Sequence, residues 1–192
     1  MGKKAVVILS IALCFASALH AKPAEVEVLF SSKARLDHHL IDLIDKEERS
    51  IRLAVYHFTH KEIADALIRA KNRGVDVELL IDPISIKRRS PLHRLHKAKI
   101  PIFVWQQASK QTNKYPAAMH NKFCVFSGST VWTGSFNFTY DGSARHKENV
   151  VVLKEESVAR DFIEEFNQIK DVHCILFHEE MSSPQRSGRG SN

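Results

Sequence analysis

A chain of 192 residues, 44% apolar and 26% charged, supports one globular domain with a real core rather than an array of domains. Its formal charge of +6 points toward anionic partners. With three cysteines, no CxxC pair and no Cys/His cluster at ligand spacing, the sequence offers no zinc site.

Lys3 and Lys4 precede an uncharged run from Ala5 to Leu19 that ends near Ala16-Ser17-Ala18, the layout of an export signal. The run is short for a membrane span of roughly 20 residues, which favours a removable signal over a retained anchor. Cleavage is expected after Ala18 or Ala21, making residues 1–21 a signal peptide, 22–172 one catalytic domain and 173–192 a flexible tail. The product is then exported, whether periplasmic, associated with an outer membrane or secreted. Losing Lys3 and Lys4 lowers the net charge from +6 to +4. Cys124 and Cys174 would remain, and both are expected as free thiols because Cys124 falls within an apolar strand.

Glu25–Phe30 alternates as a strand, and Leu36–Glu48 carries Leu36, Leu40, Leu43 and Ile44 at helical spacing. Ser50–Tyr56 reads as a strand. A helix follows from Thr59, where Thr59-His60-Lys61-Glu62 matches a capping box, and Gly74 ends it. Val75–Ile81 is a buried strand, and a short helix over Pro91–Ala98 leads to the strand Ile102–Trp105. Residues 106–116 form a polar loop. Lys122–Phe126 and Val131–Thr133 pair as a hairpin, Asn149–Leu153 adds a strand, and Val158, Phe162, Phe166 and Ile169 mark a last amphipathic helix. Alternating strands and helices give an α/β fold with a central mixed β-sheet flanked by helices.

Charge is concentrated between Lys87 and Lys99, where Lys87, Arg88, Arg89, Arg94, Lys97 and Lys99 occur without an acid. A solvated helix face is the ordinary explanation of such a run. Beside a phosphodiester site, Lys87, Arg88, Arg89, Arg94 and Lys97 become candidate substrate-binding residues for a nucleic acid, or for an anionic membrane surface.

The chemistry gathers in His120-Asn121-Lys122 and Gly134-Ser135-Phe136-Asn137-Phe138-Thr139. Residues two apart on a strand share a face, so His120 and Lys122 converge. Lys122 would neutralise phosphate oxygens that Ser135 and Asn137 orient, leaving His120 to attack phosphorus without a metal or other cofactor. Protonating the leaving oxygen needs a second imidazole, and the chain has no second H-x-K followed by G-S-x-N, since His20-Ala21-Lys22 falls at the expected signal cleavage site without one. A homodimer axis placing His120 opposite its own copy would supply both roles.

These runs resemble the HKD motif of the phospholipase D superfamily, H-x-K followed by G-S-x-N. Similarity extends through Ser50-Ile51-Arg52, Tyr56-His57-Phe58-Thr59, Lys71–Val77 with Ile81-Asp82, and Glu148–Val152, covering roughly residues 25–170. The pattern is that of the small single-motif branch of Nuc-type endonucleases and Zucchini-like members. The resemblance implies a phospholipase D-like sandwich, a homodimer with a shared active site, and a carboxylate at Glu148 hydrogen-bonded to His120. It implies cleavage of DNA and/or RNA, single strands included, through a phosphohistidine. Hydrolysis of membrane phospholipids is the alternative, and an inactive polyanion-binding module is the third. The full motif reads H-x-K-x4-D, and Ser127 stands at the aspartate position. That position falls in a turn, which suggests a structural duty there.

Overall fold

The computed structural model describes residues 24–87, 90–106, 117–178 and 181. The expected signal peptide, Arg88, Arg89, most of the polar loop and the tail beyond residue 181 lie outside these residues.

Eight strands form one mixed sheet: β1 (Glu25–Phe30), β2 (Ser50–Val55), β3 (Asp76–Ile81), β4 (Ile102–Trp105), β5 (Lys122–Phe126), β6 (Thr130–Gly134), β7 (Asn149–Lys154) and β8 (Cys174–Leu176). Their spatial order is β1-β7-β6-β5-β2-β3-β4-β8. β2, β3 and β4 run parallel, as strands joined by helical crossovers can, while all other neighbours are antiparallel. The crossovers are α2 (Lys61–Asn72) and α3 (Leu92–Lys97). With α1 (Leu36–Lys46) they cover one face, burying Leu36, Leu40, Ile44, Ile63, Leu67, Leu92 and Leu95. The long helix α5 (Glu156–His173) covers the other face with Ala159 and Phe166, against Phe123, Val125 and Val131.

The strand and helix periods set most boundaries, and three details differ from expectation. The cap of α2 is His60, whose Nδ1 accepts a hydrogen bond from Ile63 N at 3.5 Å, not the hydroxyl of Thr59. Phe138 O takes the N–H groups of both Thr59 and His60 at 2.9 Å, which places Thr59 before the cap. A short helix α4 (Tyr140–Ala144) follows the Asn137 segment, started by Thr139 Oγ1 accepting from Gly142 N at 3.0 Å. Residues 174–176, placed with the tail on sequence grounds, instead form β8. That strand pairs with β4, and Phe177 N is bonded to Ile102 O at 2.8 Å, so the sheet continues past the boundary set at residue 172.

Cys124 and Cys174 are both free. β2, β3 and β4 stand between their strands, so they have no means of pairing. Burial pushes the Cys124 thiol well up, as expected of an inert core cysteine.

Gly134 ends β6 where it crosses β7. A Cβ there would meet Asn149 O at 2.1 Å and Val150 Cα at 2.9 Å, both backbone atoms that can yield only by parting the strands. Gly134→Ala is therefore expected to destabilise the fold by at least about 2 kcal/mol. Urea unfolding checks this, and an unchanged midpoint would show that β6 and β7 separate freely.

Candidate active site

The site is built where β2 ends and β5 begins. Val55 pairs with Lys122, and Tyr56 N donates to Asn121 O at 3.0 Å, fixing the H-x-K segment against the exit of β2. Lys122 Nζ lies 2.7 Å from His120 O and 3.3 Å from His120 Nδ1, so the two side chains do converge. The His120 ring is exposed and rests on Tyr56, with centroids 4.5 Å apart, while Lys122 Nζ sits 5.4 Å from the Tyr56 ring centre. Tyr56 is thereby a platform for both.

Lys122 is buried, 8% exposed, and burial lowers its ammonium below the usual lysine range while the charge of Glu148 pulls the other way. A compact cation held in a partly desolvated position acts strongly on a phosphate oxygen brought beside it.

Ser135 and Asn137 come from the chain leaving β6. Phe136 and Phe138 are fully buried against Trp132, ring centroids 5.6 Å away in each case, and Phe138 bridges Phe58. With those alternate residues anchored inward, Ser135 is left exposed and Asn137 half-buried. Asn137 Oδ1 is buried and has no hydrogen-bond partner among the described residues. Ser135 Oγ accepts from Asn149 N at 3.1 Å and donates to Glu148 Oε2.

Within a single copy, Glu148 is engaged with groups other than His120. Its carboxylate bonds Ser135, with His146 Nδ1 at 3.8 Å, and no hydrogen bond joins it to His120 among the described residues. The reason is topological. β7 pairs with β6 and not β5, so Glu148, just ahead of β7, stands one strand further from His120 with Ser135 between. Its reach to the motif is through space, onto Lys122.

Ser127 occupies the β5–β6 turn at φ +49°, followed by Gly128 at φ +68°. It lies at the opposite end of β5 from Lys122, as a structural position would.

The described residues of the basic segment have different surroundings. Lys87 Nζ approaches His57 Nε2 at 3.4 Å, directly after Tyr56, so it reaches the edge carrying His120. Burial, with the charge of Lys87 behind it, lowers His57 and keeps that imidazole neutral more readily than a free one. Arg94 is instead paired with Asp65 of α2. Lys97 is exposed on α3, whose His93 and His96 rings pack on Phe177 at 5.8 and 5.6 Å. Both members of the Arg94–Asp65 pair are exposed, so it is a weak surface contact.

Asp82 is part of the resemblance but was assigned no role at the site. It is buried, its Oδ1 accepts from Ile84 N at 2.9 Å and its Oδ2 from Met119 N at 3.0 Å, so it holds the residue preceding His120. An acid closing an apolar strand ahead of proline, Ile81-Asp82-Pro83, was the available signal. Ser85, also buried, takes Phe58 N at 3.0 Å and donates to Tyr56 O at 3.1 Å, tying the same turn to the exit of β2.

Among the described residues, Asp37, His38 and Glu62 group closely enough to hold a cation. Asp37 already receives two hydrogen bonds from Arg35, at 3.1 and 2.8 Å, so the cluster suits a metal poorly. None of the three belongs to the His120 set.

Comparison with known proteins agrees with this geometry. The family profile "Cardiolipin synthase, PLD-like domain" matches residues 40–170. A phospholipase D of Rickettsia conorii is 33% identical over 142 residues, 73% of this chain and 67% of the relative. The mitochondrial cardiolipin hydrolase of Chlamydomonas reinhardtii is 26% identical, over 69% of this chain and 56% of its own. Among solved structures, the phospholipase D family member Nuc from Salmonella typhimurium superposes with a TM-score of 0.69 at 28% identity, covering 81% of this chain and 99% of Nuc. NucT from Helicobacter pylori shares the fold, with a TM-score of 0.73 at 19% identity over 80% of this chain and 99% of NucT. By its profile match, its H-x-K and G-S-x-N geometry and its end-to-end likeness to Nuc, the chain belongs to the phospholipase D superfamily, in the small single-motif branch.

Proposed function

We propose that this chain is an exported, metal-independent endonuclease that cuts DNA and/or RNA at a site shared by two copies. The observation supporting a nuclease is the likeness to Nuc, of which the chain covers 99% at 28% identity. Lys87 and His57, beside Tyr56 on the edge carrying His120, add donors suited to a polyanion.

In this reading, His120 of one copy attacks phosphorus. A phosphorus–nitrogen bond forms as a phosphorus–oxygen bond breaks, and the leaving oxygen takes a proton from His120 of the partner subunit. That second imidazole, now neutral, accepts a proton from the water that resolves the phosphohistidine. Lys122 stabilises the charge on the five-coordinate phosphorus, with Ser135 and the Asn137 amide turning donors to its oxygens. Glu148 holds Ser135 and sustains the charge on Lys122. The alternative, phospholipid hydrolysis, is favoured by the names of the Rickettsia and mitochondrial relatives. It uses the same chemistry on a different alcohol.

The deciding assay offers single-stranded DNA, duplex DNA, RNA and phospholipid vesicles to the purified protein in EDTA, with His120→Asn alongside. Nucleic acid cleavage that persists in EDTA and falls at least about 10³-fold in the variant is expected. Cleavage of vesicles alone transfers the site to lipids, and cleavage that survives in His120→Asn removes it from His120 altogether.

Activity should also trace a bell against pH, because one shared proton must leave one imidazole free and the other charged. Lys122 titrates separately: burial lowers it below the ordinary lysine value of about 10.4, and Glu148 is the influence raising it. Glu148→Gln should therefore lower the Lys122 titration further, read by NMR of its side chain, and an unmoved titration would show that the carboxylate does not act on Lys122.

A further inference from the structure

The residue missing from the motif leads to a carboxylate elsewhere. Glu47 follows α1 and is only 8% exposed. Its Oε1 accepts from Glu48 N at 2.9 Å, Arg49 N at 2.7 Å and Ser50 N at 3.2 Å, and takes the hydroxyl proton of Ser127. Ser127 N in turn donates to Ser50 O at 3.0 Å, and Arg49 Nε approaches Ser127 Oγ at 3.3 Å. One oxygen of this buried carboxylate gathers three backbone donors and a hydroxyl, and removing it would orphan all of them. Burial pushes its carboxyl up, but the Ser127 hydroxyl and the N–H groups of Arg49, Ser50 and Glu48 pull it further down, leaving it below the usual range.

We propose that Glu47 supplies, from the end of α1, the carboxylate that the motif otherwise carries at position 127, and so acts as a positioning residue for the H-x-K pair. The route runs along β5. Glu47 joins the start of β2 to the β5–β6 turn, where Ile51 is paired with Phe126. The same register places Lys122 opposite Val55 four residues on, with Asn121 O on Tyr56 N. A slip of one residue would turn Lys122 to the other sheet face. Ser127 is then the complement of Glu47: a hydroxyl donates to a carboxylate, whereas an aspartate there would oppose it. The inference rests on family membership and does not depend on whether the substrate is nucleic acid or lipid.

A double-mutant cycle on the full chain tests it, read as Tm and as kcat on bis(p-nitrophenyl) phosphate at a temperature where every variant is folded. Glu47→Ala and Ser127→Asp should each lower Tm by about 5–10 °C, the first by orphaning donors and the second by placing like charges together. Combined, they should recover most of the loss and most of kcat, because the carboxylate returns to the turn. Glu47→Gln, which keeps an acceptor, should lose less than Glu47→Ala. Since Glu47 is held low, its contribution is present above the ordinary carboxylate value of about 4.3, and the Tm gap between parent and Glu47→Ala should close as pH falls below that value. Additive losses in the double variant, or a Ser127→Asp protein as stable as the parent, would overturn the proposal. If Glu47→Ala does not fold, recovery of folding on adding Ser127→Asp supports the relocation and continued failure refutes it.

Discussion

The antiparallel pairing of β2 with β5 is the constraint on which the rest depends. It is the junction between the parallel half of the sheet and the antiparallel half, and all the candidate chemistry lies at one of its ends. The register that pairs Val55 with Lys122 sets Tyr56 beside His120, the two rings in tilted contact. From there the antiparallel neighbours set Ser135 and then Glu148 one strand further out each, while the parallel neighbour β3 delivers Asp82 to Met119 N. No helix supplies a reacting group. The helices bury both faces and leave the strand ends to define the geometry.

The arrangement separates two demands that usually conflict. A phosphate needs concentrated positive charge, and a stable fold avoids unpaired buried charge. Lys122 meets both because its stem is enclosed and its ammonium donates to His120 O, with Tyr56 beneath it and the Glu148 carboxylate near enough to be felt. Glu148 bonds to Ser135 and not to Lys122, so the cation is supported without being quenched.

Much of this was legible in the residues. The strand periods of Glu25–Phe30 and Ile102–Trp105 match the observed elements end to end, because alternation and flanking turn residues agree there. Convergence of His120 and Lys122 follows from their spacing alone. What local pattern does not encode is strand order. The partner of Glu148 depends on β7 lying beyond β6, and the answering of Arg94 by Asp65 depends on α3 packing against α2. Neither is visible in a window of ten residues. β8 was missed for a related reason: three residues after a long helix carry too little period to be read, and only the free edge of β4 gives them a partner. The cap of α2 was misassigned by one residue because Thr59 has the stronger general preference, yet Phe138 takes its backbone into a different pairing.

The strand order also fixes where the chain enters and leaves the domain. β1 and β8 are the first and last strands of the sequence and also the two outer strands of the sheet. Seven inter-strand spacings of about 4.8 Å put some 34 Å between them, roughly the reach of ten fully extended residues. β1 and β8 thus lie on opposite flanks of the sheet, with the His120 edge between them. Joining the natural ends in a circular permutant would need a linker long enough to cross the whole sheet, and that linker would pass over either α5 or the α1–α2 layer.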